Sequence, residues 1–363
     1  MAESGILKHV RRLVGRSLAP AVRTGAGRWR DTGFLALAGT LLAAVGLSAG
    51  VSILAADPPR SSSQAAKPAP RGKADAPKAP DAARAMGYLQ AICKIGPRYS
   101  GSPGMDAQQK LLAEHFAKFP CKLAYQSFDD VHPLNGSPVR MNNLIISWHP
   151  EAKERVLLAC HYDTRPLPDR DPNPVIARQG RFLGANDGAS GVALFMELAH
   201  FMEGLSPRYG VDFVLFDGEE HIYGDRGEFF AGSIHFSREY QAKPPPYKYV
   251  SCVLVDMIGD RNLAIYQEKN SLHYAPKLTA SVWAAARKAG VAEFIPRARH
   301  EVLDDHVKLN EIAKIPSIDL IDFDYPHWHT AKDVPAQCSG DSLAKVARVL
   351  LTWLADMPEL PLD

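Results

Sequence analysis

The sequence predicts an α/β fold in which a mostly parallel, mixed central sheet is flanked by helices on both faces. Short apolar runs of strand length alternate along the chain with segments of helical periodicity. Most residues in these runs are apolar, which is typical of strands that are buried on both faces. Polar residues follow directly after several of the runs. They would therefore gather at the carboxyl edge of the sheet, where such folds place their ligand sites.

The N-terminal part of the chain predicts a membrane segment. Residues 33–56 carry no charge, and about 20 such residues suffice to span a ~30 Å hydrocarbon core. The basic segment 1–32 precedes this run, and such charges remain on the cytoplasmic side. We therefore expect a transmembrane signal-anchor, with the rest of the chain extracytoplasmic, on the periplasmic or secreted side. A cleaved signal peptide is the alternative, because the small residues Ala55 and Ala56 end the run.

Residues 57–80 predict a disordered linker between the anchor and a folded domain. The segment is rich in Pro, Ala, Ser and Lys and contains no aromatic residue. Such a composition buries too little apolar surface to offset the entropy of ordering. We expect an extended tether, followed by one folded domain over residues 81–363.

The folded domain shows eight segments whose patterns predict a helix or a strand. The predicted helices are Asp81–Ile95, Met105–Phe119, Gly191–Met202 and Leu343–Leu354, and the predicted strands are Arg155–Ala159, Val211–Phe216, Tyr249–Val255 and Ser317–Ile321. Alternation of apolar strands and helices favours parallel pairing.

The composition is that of an ordinary globular protein, with 46% hydrophobic and 23% charged residues and a net charge of +2. The folded domain has no basic stripe, so we expect no nucleic-acid partner. The five cysteines show no C-x-x-C spacing, which argues against a structural zinc site. One disulfide would be compatible with an exported domain. We expect the folded domain to be monomeric.

Metal-ligand residue types recur at the ends of the predicted strands. They are His161 and Asp163 after the first strand, Glu219 and Glu220 after the second, Asp256 after the third, and His329 in the segment after the fourth, with Asp187 in the intervening stretch GANDGASG. A single histidine is usually a surface or core residue, and an Asp-Gly pair is usually a turn. Zinc, however, takes imidazole and carboxylate ligands from separate elements. The joint placement therefore predicts a metal site.

The ordered set H-x-D, NDGASG, DGEE, VDMIG and H-T resembles the di-zinc aminopeptidases and their relatives, the glutaminyl cyclases. The stretch GPRYSGSPG is also similar, and the resemblance covers residues 81–363. It implies a zinc aminopeptidase-like fold. It implies a zinc ion on Asp187, Glu220 and His329, with Glu219 as general acid and base. His161 and Asp256 stand where aminopeptidases hold a second zinc, and Asp163 would orient His161.

Two features resemble the cyclase branch. Asp304 begins an Asp-Asp-His triplet, and Trp328 stands directly before His329. The resemblance implies that Trp328 walls the pocket for the glutamine side chain. It also implies that Asp304 shares a hydrogen-bonded network with Glu219 and Asp256. Without the resemblance, Trp328 would be a core aromatic residue and Asp304 a helix N-cap.

The resemblance implies a zinc-dependent glutaminyl-peptide cyclotransferase, an acyltransferase that acts on peptide or protein N-termini. We expect one zinc ion, with a second possible. A di-zinc aminopeptidase is the alternative, whereas a binding module without activity is disfavoured because every ligand is present. The chain departs from animal cyclases at Cys160, whose partner is absent from the next helix, and in a shorter loop after Glu220. The insertion Arg165–Phe182 is expected to form a lid or a rim.

Overall fold

The computed structural model describes residues 79–357 and 359. Its centre is a six-stranded sheet with the order β1-β2-β4-β3-β7-β10. These strands are β1 (Lys122–Val131), β2 (Pro138–Trp148), β3 (Glu154–His161), β4 (Gly210–Phe216), β7 (Lys248–Asp256) and β10 (Ser317–Ile321). β4, β3, β7 and β10 run parallel, whereas β1 and β2 are antiparallel to their neighbours. The predicted α/β class with a mostly parallel sheet is confirmed.

Helices and short strands surround the sheet. The helices are α1 (Ala82–Ile95), α2 (Pro103–Phe116), α3 (Pro174–Gln179), α4 (Ala189–Met202), α5 (Ala231–Ala242), α6 (Lys269–Tyr274), α7 (Pro276–Lys288), α8 (Asp305–Lys308) and α9 (Gly340–Ala355). A π-helical turn, Leu309–Ala313, continues α8, and a 3₁₀ turn covers Pro335–Gln337. The short strands β5 (Ile222–Tyr223) and β6 (Arg226–Gly227) form one ribbon, and β8 (Ile265–Gln267) and β9 (Phe294–Ala298) form another.

The sheet is buried on both faces. Successive side chains of a strand point to opposite faces, so each strand contributes to two cores. In β3, Val156 and Leu158 join the large core beneath α1, α4 and α9. The intervening residues Leu157 and Ala159 join a smaller core that includes Phe236 of α5. This arrangement explains why the parallel strands are mostly apolar.

All eight predicted segments lie within or overlap elements of the predicted type. β1 and β2 were not predicted. β1 is an edge strand whose residues are mostly exposed or half-buried, so its sequence lacks a continuous apolar run. The predicted helix from Met105 ends at Phe116 rather than at Phe119.

The predicted membrane anchor at residues 33–56 and the basic segment 1–32 lie outside the described residues, as does nearly all of the predicted linker 57–80. Among the residues that are described, no helix combines the length and apolar character needed to cross a membrane. The five cysteines are all described and unpaired, Cys160 among them.

Candidate metal centre

The parallel strands end at one edge of the sheet, and the predicted site residues lie there. His161 is the last residue of β3, and Asp256 is the last residue of β7. Glu219 and Glu220 follow the end of β4, and His329 lies in the loop after β10. The parallel direction of these strands is what brings residues that are distant in sequence together.

Asp187, Glu220 and His329, which we call the metal trio, form one cluster of potential ligands. His329 Nε2 lies 2.7 Å from Glu220 Oε1 and 3.3 Å from Asp187 Oδ2. One ligand atom from each residue lies within 4.8 Å of the others, and all three residues are buried. The three residues that the resemblance implied as zinc ligands are therefore neighbours.

The metal trio fits a zinc ion in chemistry and in charge. One imidazole nitrogen and two carboxylates are typical zinc ligands. Among the described residues, the buried Asp187 Oδ2 has no hydrogen-bond donor. Burial disfavours a charged imidazole, yet the carboxylates of Glu220, Asp169 and Asp187 raise the pKa of His329 to about 10. The pocket thus stabilises positive charge where the ligand atoms converge.

A second cluster shares Asp187 with the metal trio. His161 Nε2 lies 3.2 Å from Asp187 Oδ1 and 3.2 Å from Asp256 Oδ1. Asp187 therefore directs one carboxylate oxygen toward each cluster. This sharing is compatible with either one or two ions.

Asp163 contacts residues of both clusters on the side away from the ligand atoms' convergence: the backbone at Glu220 and the ring of His161. Its carboxylate accepts the backbone N–H of Glu219 at 3.2 Å and that of Glu220 at 3.0 Å. It also lies 3.7 Å from Nδ1 of His161. Asp163 therefore holds the Glu219–Glu220 turn in addition to facing His161, the contact that the resemblance implied.

Asp333 supports the backbone of Asp187 and was not singled out by sequence reasoning. Its carboxylate accepts the N–H groups of Asn186 at 2.8 Å and Asp187 at 3.1 Å. The hydroxyl of Tyr325 donates to the same carboxylate at 2.7 Å. The available signal was the position of Asp333 shortly after His329 in the sequence.

Two unusual backbone conformations aim ligands into the centre. Gly188, which caps α4 directly after Asp187, has φ +97°, and a Cβ there would lie 2.7 Å from the carbonyl oxygen of Asp163. His329 has φ +55°, in the left-handed region that non-glycine residues seldom occupy. Such conformations cluster at functional sites, where surrounding contacts hold them.

Three carboxyl groups in and beside the clusters, those of Glu219, Asp256 and Asp304, have raised pKa values. Burial and the charge of Glu220 raise the pKa of Glu219 well above its ordinary value. Burial raises the pKa of Asp256 to about 7 and also raises the pKa of Asp304. A carboxyl group with a pKa near 7, such as that of Asp256, can exchange protons near neutral pH.

The hydrogen bond that Asp304 accepts comes from the backbone and not from Glu219 or Asp256. Its Oδ1 accepts the backbone N–H of Asp305 at 2.6 Å, so Asp304 is also the N-cap of α8. Asp304 lies close to His306 and Asp319, which are likewise buried. The implied sharing with Glu219 is therefore electrostatic in this structure, because Asp304 contributes to the raised pKa of Glu219.

Trp328 lies beside the metal trio. Its ring centroid is 4.3 Å from that of His329 and 4.8 Å from that of Phe323. The side chain is half-buried, so it is not a fully enclosed core residue. The guanidinium carbon of Arg170 lies 4.0 Å from the ring centroid.

The insertion Arg165–Phe182 contributes residues that sequence reasoning missed. Arg165 contacts Glu220 Oε2, and its guanidinium also donates to Asp169 Oδ2. A cavity of about 460 Å³ opens beside these groups, between α3 and the Ile222–Tyr223 strand. The only sequence signal for these contacts was the charged run at Arg165–Asp171, and this run has no helical or strand periodicity.

Comparisons with known proteins agree with this geometry. The sequence model of peptidase family M28 matches residues 143–354 of this chain. A crystal structure of Fimbriiglobus ruber glutaminyl cyclase is 42% identical, with 76% of this chain and 95% of that chain covered and a TM-score of 0.73. A leucine aminopeptidase precursor from Bacteroides thetaiotaomicron is 30% identical, with coverages of 78% and 99% and a TM-score of 0.72. The glutaminyl-peptide cyclotransferase of Drosophila melanogaster is 24% identical over 289 residues, 72% of this chain and 78% of that protein.

Proposed function

This chain belongs to peptidase family M28, and we propose that its metal trio and Glu219 carry out the reaction of the glutaminyl cyclases it resembles. It is a glutaminyl-peptide cyclotransferase, which converts the N-terminal glutamine of a peptide to pyroglutamate and releases ammonia. The observation that carries the proposed roles is the convergence of Asp187, Glu220 and His329 directly beside Glu219 and Trp328.

In this reaction the α-amine nitrogen forms a bond to the γ-carboxamide carbon, and the bond from that carbon to the amide nitrogen breaks. A zinc ion on the metal trio supplies Lewis-acid polarisation of the carboxamide carbonyl when bound. Glu219 accepts a proton from the attacking amine and returns one to the departing nitrogen, which leaves as ammonia. Trp328 bounds the space for the glutamine side chain.

Asp304 acts on Glu219 through its charge, whereas Asp256 contacts the neighbouring His161. Glu219 must gain a proton and release it again within one turnover. Negative charge from Asp304 raises the pKa of Glu219 and so favours its protonated form. Oδ1 of Asp256 lies 3.2 Å from Nε2 of His161, and burial raises the pKa of Asp256 to about 7, so its carboxyl group can exchange protons near neutral pH. We therefore propose that both residues assist proton transfer without contacting the scissile bond.

The first test compares the protein with Glu219→Gln on a peptide that has an N-terminal glutamine. We expect loss of one ammonia from the peptide and a kcat about 10²–10⁴-fold lower in the variant, because proton transfer contributes that range. Mass spectrometry identifies the product. The exposed Glu203→Gln serves as control and retains activity.

Release of a free N-terminal amino acid would contradict this proposal and favour the di-zinc aminopeptidase. That alternative uses the second cluster, His161 and Asp256, together with Asp187. We propose one zinc ion per chain. Metal analysis of the purified protein tests this number, and two ions in an active peptidase would support the alternative.

We also propose that residues 33–56 anchor the protein in a membrane with the catalytic domain, residues 81–363, outside the cytoplasm on the linker 57–80. The uncharged run and its basic flank support this topology. Cell fractionation, with protease access to a C-terminal tag, tests it. We propose that the catalytic domain is monomeric, which light scattering of the detergent-solubilised protein measures.

A further inference from the structure

We infer that Arg165 and Asp169 are positioning residues that fix the side chains of two metal ligands. The inference rests on the proposed function, since it takes Glu220 and His329 as zinc ligands. Neither Arg165 nor Asp169 belongs to the ligand set or to the groups proposed to move protons. Both lie in the insertion that follows β3.

Four side chains form a closed ring. Arg165 Nη1 contacts Glu220 Oε2, while its Nε and Nη2 donate to Asp169 Oδ2 at 3.0 and 2.7 Å. Asp169 Oδ1 lies 3.5 Å from His329 Nδ1. His329 Nε2 lies 2.7 Å from Glu220 Oε1, which closes the ring. The side chain of Arg165 is only 7% exposed.

The contacts in this ring determine which atom of Glu220 and which atom of His329 faces the metal position. Glu220 has one oxygen engaged by Arg165, so the other remains directed toward His329 and Asp187. Nδ1 of His329 has no hydrogen-bond partner among the described residues, but the carboxylate of Asp169 lies 3.5 Å away, and its negative charge favours a proton on Nδ1 and leaves Nε2 as the ligand atom. A carboxylate in this position also makes an imidazole a stronger metal ligand. The planar guanidinium suits a bridge between two carboxylates because its donors have fixed directions.

The same insertion is held to the histidine loop by backbone contacts. The N–H of Arg170 donates to the carbonyl of His329 at 3.0 Å, and Asp171 Oδ2 accepts the N–H of Ala331 at 3.1 Å. A purely structural explanation would therefore be that Arg165 and Asp169 only fasten the insertion. The two explanations differ in outcome, because a fastening role changes stability whereas a positioning role changes zinc affinity.

The test measures zinc retention by the purified full-length protein against a chromogenic zinc chelator. We expect Arg165→Gln and Asp169→Asn to hold zinc about 10–100-fold more weakly, the usual effect of losing the partner of a metal ligand. Arg165→Lys should recover part of the loss because it restores a donor to Glu220. Circular dichroism confirms that each variant is folded. Asp169→Asn, which keeps the side-chain shape, carries the test if Arg165→Gln does not fold.

Arg84→Gln is the matched control. Arg84 donates from Nε and Nη2 to the buried Glu197 at 2.7 Å, so the variant removes a comparable ion pair that belongs to neither metal cluster. We expect it to lower thermal stability without changing zinc retention. The inference is overturned if Arg165→Gln and Asp169→Asn retain zinc as tightly as the unmodified protein. Failure of the unmodified protein to bind zinc would instead overturn the proposed ligand set, and the inference with it.

Discussion

The guanidinium of Arg170 lies over the indole of Trp328, with Cζ 4.0 Å from the ring centroid. Such a cation–π contact contributes about 0.5–2 kcal/mol. One face of Trp328 is thereby covered by the insertion, and its position is coupled to that of Arg170. If Trp328 bounds the substrate pocket, the order of the pocket wall depends on this contact.

We expect Arg170→Ala to raise KM for a glutaminyl peptide by up to about tenfold, because loss of the contact frees the indole. The effect on kcat should be smaller, since the metal trio and Glu219 are unchanged. Steady-state kinetics measures both parameters. Arg170→Lys, which retains a cation, should lie closer to the unmodified enzyme. An unchanged KM in Arg170→Ala would show that the contact between Arg170 and Trp328 does not fix the position of the indole in the pocket wall.

At the residue scale, the sequence predicted the site residues that lie at the ends of strands, but it did not predict the site residues that loop packing brings into place. His161, Glu220 and Asp256 stand at or just beyond apolar runs, so their convergence follows from parallel strands. Arg165 and Asp333 act on ligands from loops that have no periodicity. Their partners lie 55 and 146 residues away in the chain, and only the tertiary structure specifies such pairs.

The start of α4 illustrates how an element places a ligand. Gly188 has φ +97°, and its Cα lies so close to the Asp163 loop that any Cβ would be 2.7 Å from the carbonyl oxygen of Asp163. The helix thus begins directly after Asp187 in a conformation that an L-residue with a side chain resists. The two loops that carry Asp163 and Asp187 can approach only because this position has no side chain.

We expect Gly188→Ala to destabilise the protein by more than Gly290→Ala, as measured by denaturant unfolding. Gly290 also has positive φ, +68°, but an added Cβ there has no atom within 4 Å. The control therefore costs about 1–2 kcal/mol for the backbone conformation alone. Gly188→Ala adds the clash with Asp163, so equal losses in the two variants would contradict the close approach.

His115 makes the stability of α2 dependent on pH. It is 5% exposed, and its Nε2 lies 3.0 Å from the carbonyl oxygen of Met196 in α4. Burial lowers the pKa of His115 to about 4. In the unfolded chain the pKa is about 6.5, so between these values the unfolded state binds the additional proton. This contribution to stability is complete above pH 6.5 and is lost as the pH falls toward 4.

We therefore expect His115→Gln to lose less stability than the unmodified protein when the pH is lowered from 7 to 5. The difference should be at most about 2 kcal/mol, since one pKa unit corresponds to about 1.4 kcal/mol. Urea unfolding of both proteins at the two pH values measures it. Parallel pH dependence in the two proteins would show that His115 does not titrate with folding.

At the scale of the whole molecule, metal binding should stabilise the fold. The metal trio gathers ligands from the loop before α4, the β4 end and the β10 loop, so an ion that binds only the folded chain links distant parts of it. At a free zinc concentration 100 times Kd, the gain is about 2.7 kcal/mol. We expect chelation to lower the melting temperature and zinc, but not magnesium, to restore it, because magnesium prefers oxygen ligands.

Differential scanning calorimetry measures this shift. Asp187→Asn should abolish the difference between chelated and zinc-loaded protein, because Asp187 contributes to both clusters. A zinc-dependent shift that survived Asp187→Asn would place the stabilising ion elsewhere.

The architecture was predictable because buried parallel strands leave a strong apolar signal, which β3, β4, β7 and β10 all carry. The antiparallel strands β1 and β2 extend the sheet at an edge that is half exposed, and their mixed composition concealed them. Residues 165–182, which were predicted from the sequence to form a lid or a rim, contact the ligand residues themselves. Their role depends on loop packing, which composition does not encode.

The division of Asp187 between two clusters has a thermodynamic consequence. Its Oδ2 faces His329, while its Oδ1 faces His161, so two cations bound together would share this one carboxylate, with Glu220 and Asp256 each adding a charge at one position only. If a first cation lowers the affinity of the second position, linkage requires the penalty to be reciprocal. We therefore expect zinc titration to show two unequal steps wherever the second position fills at all.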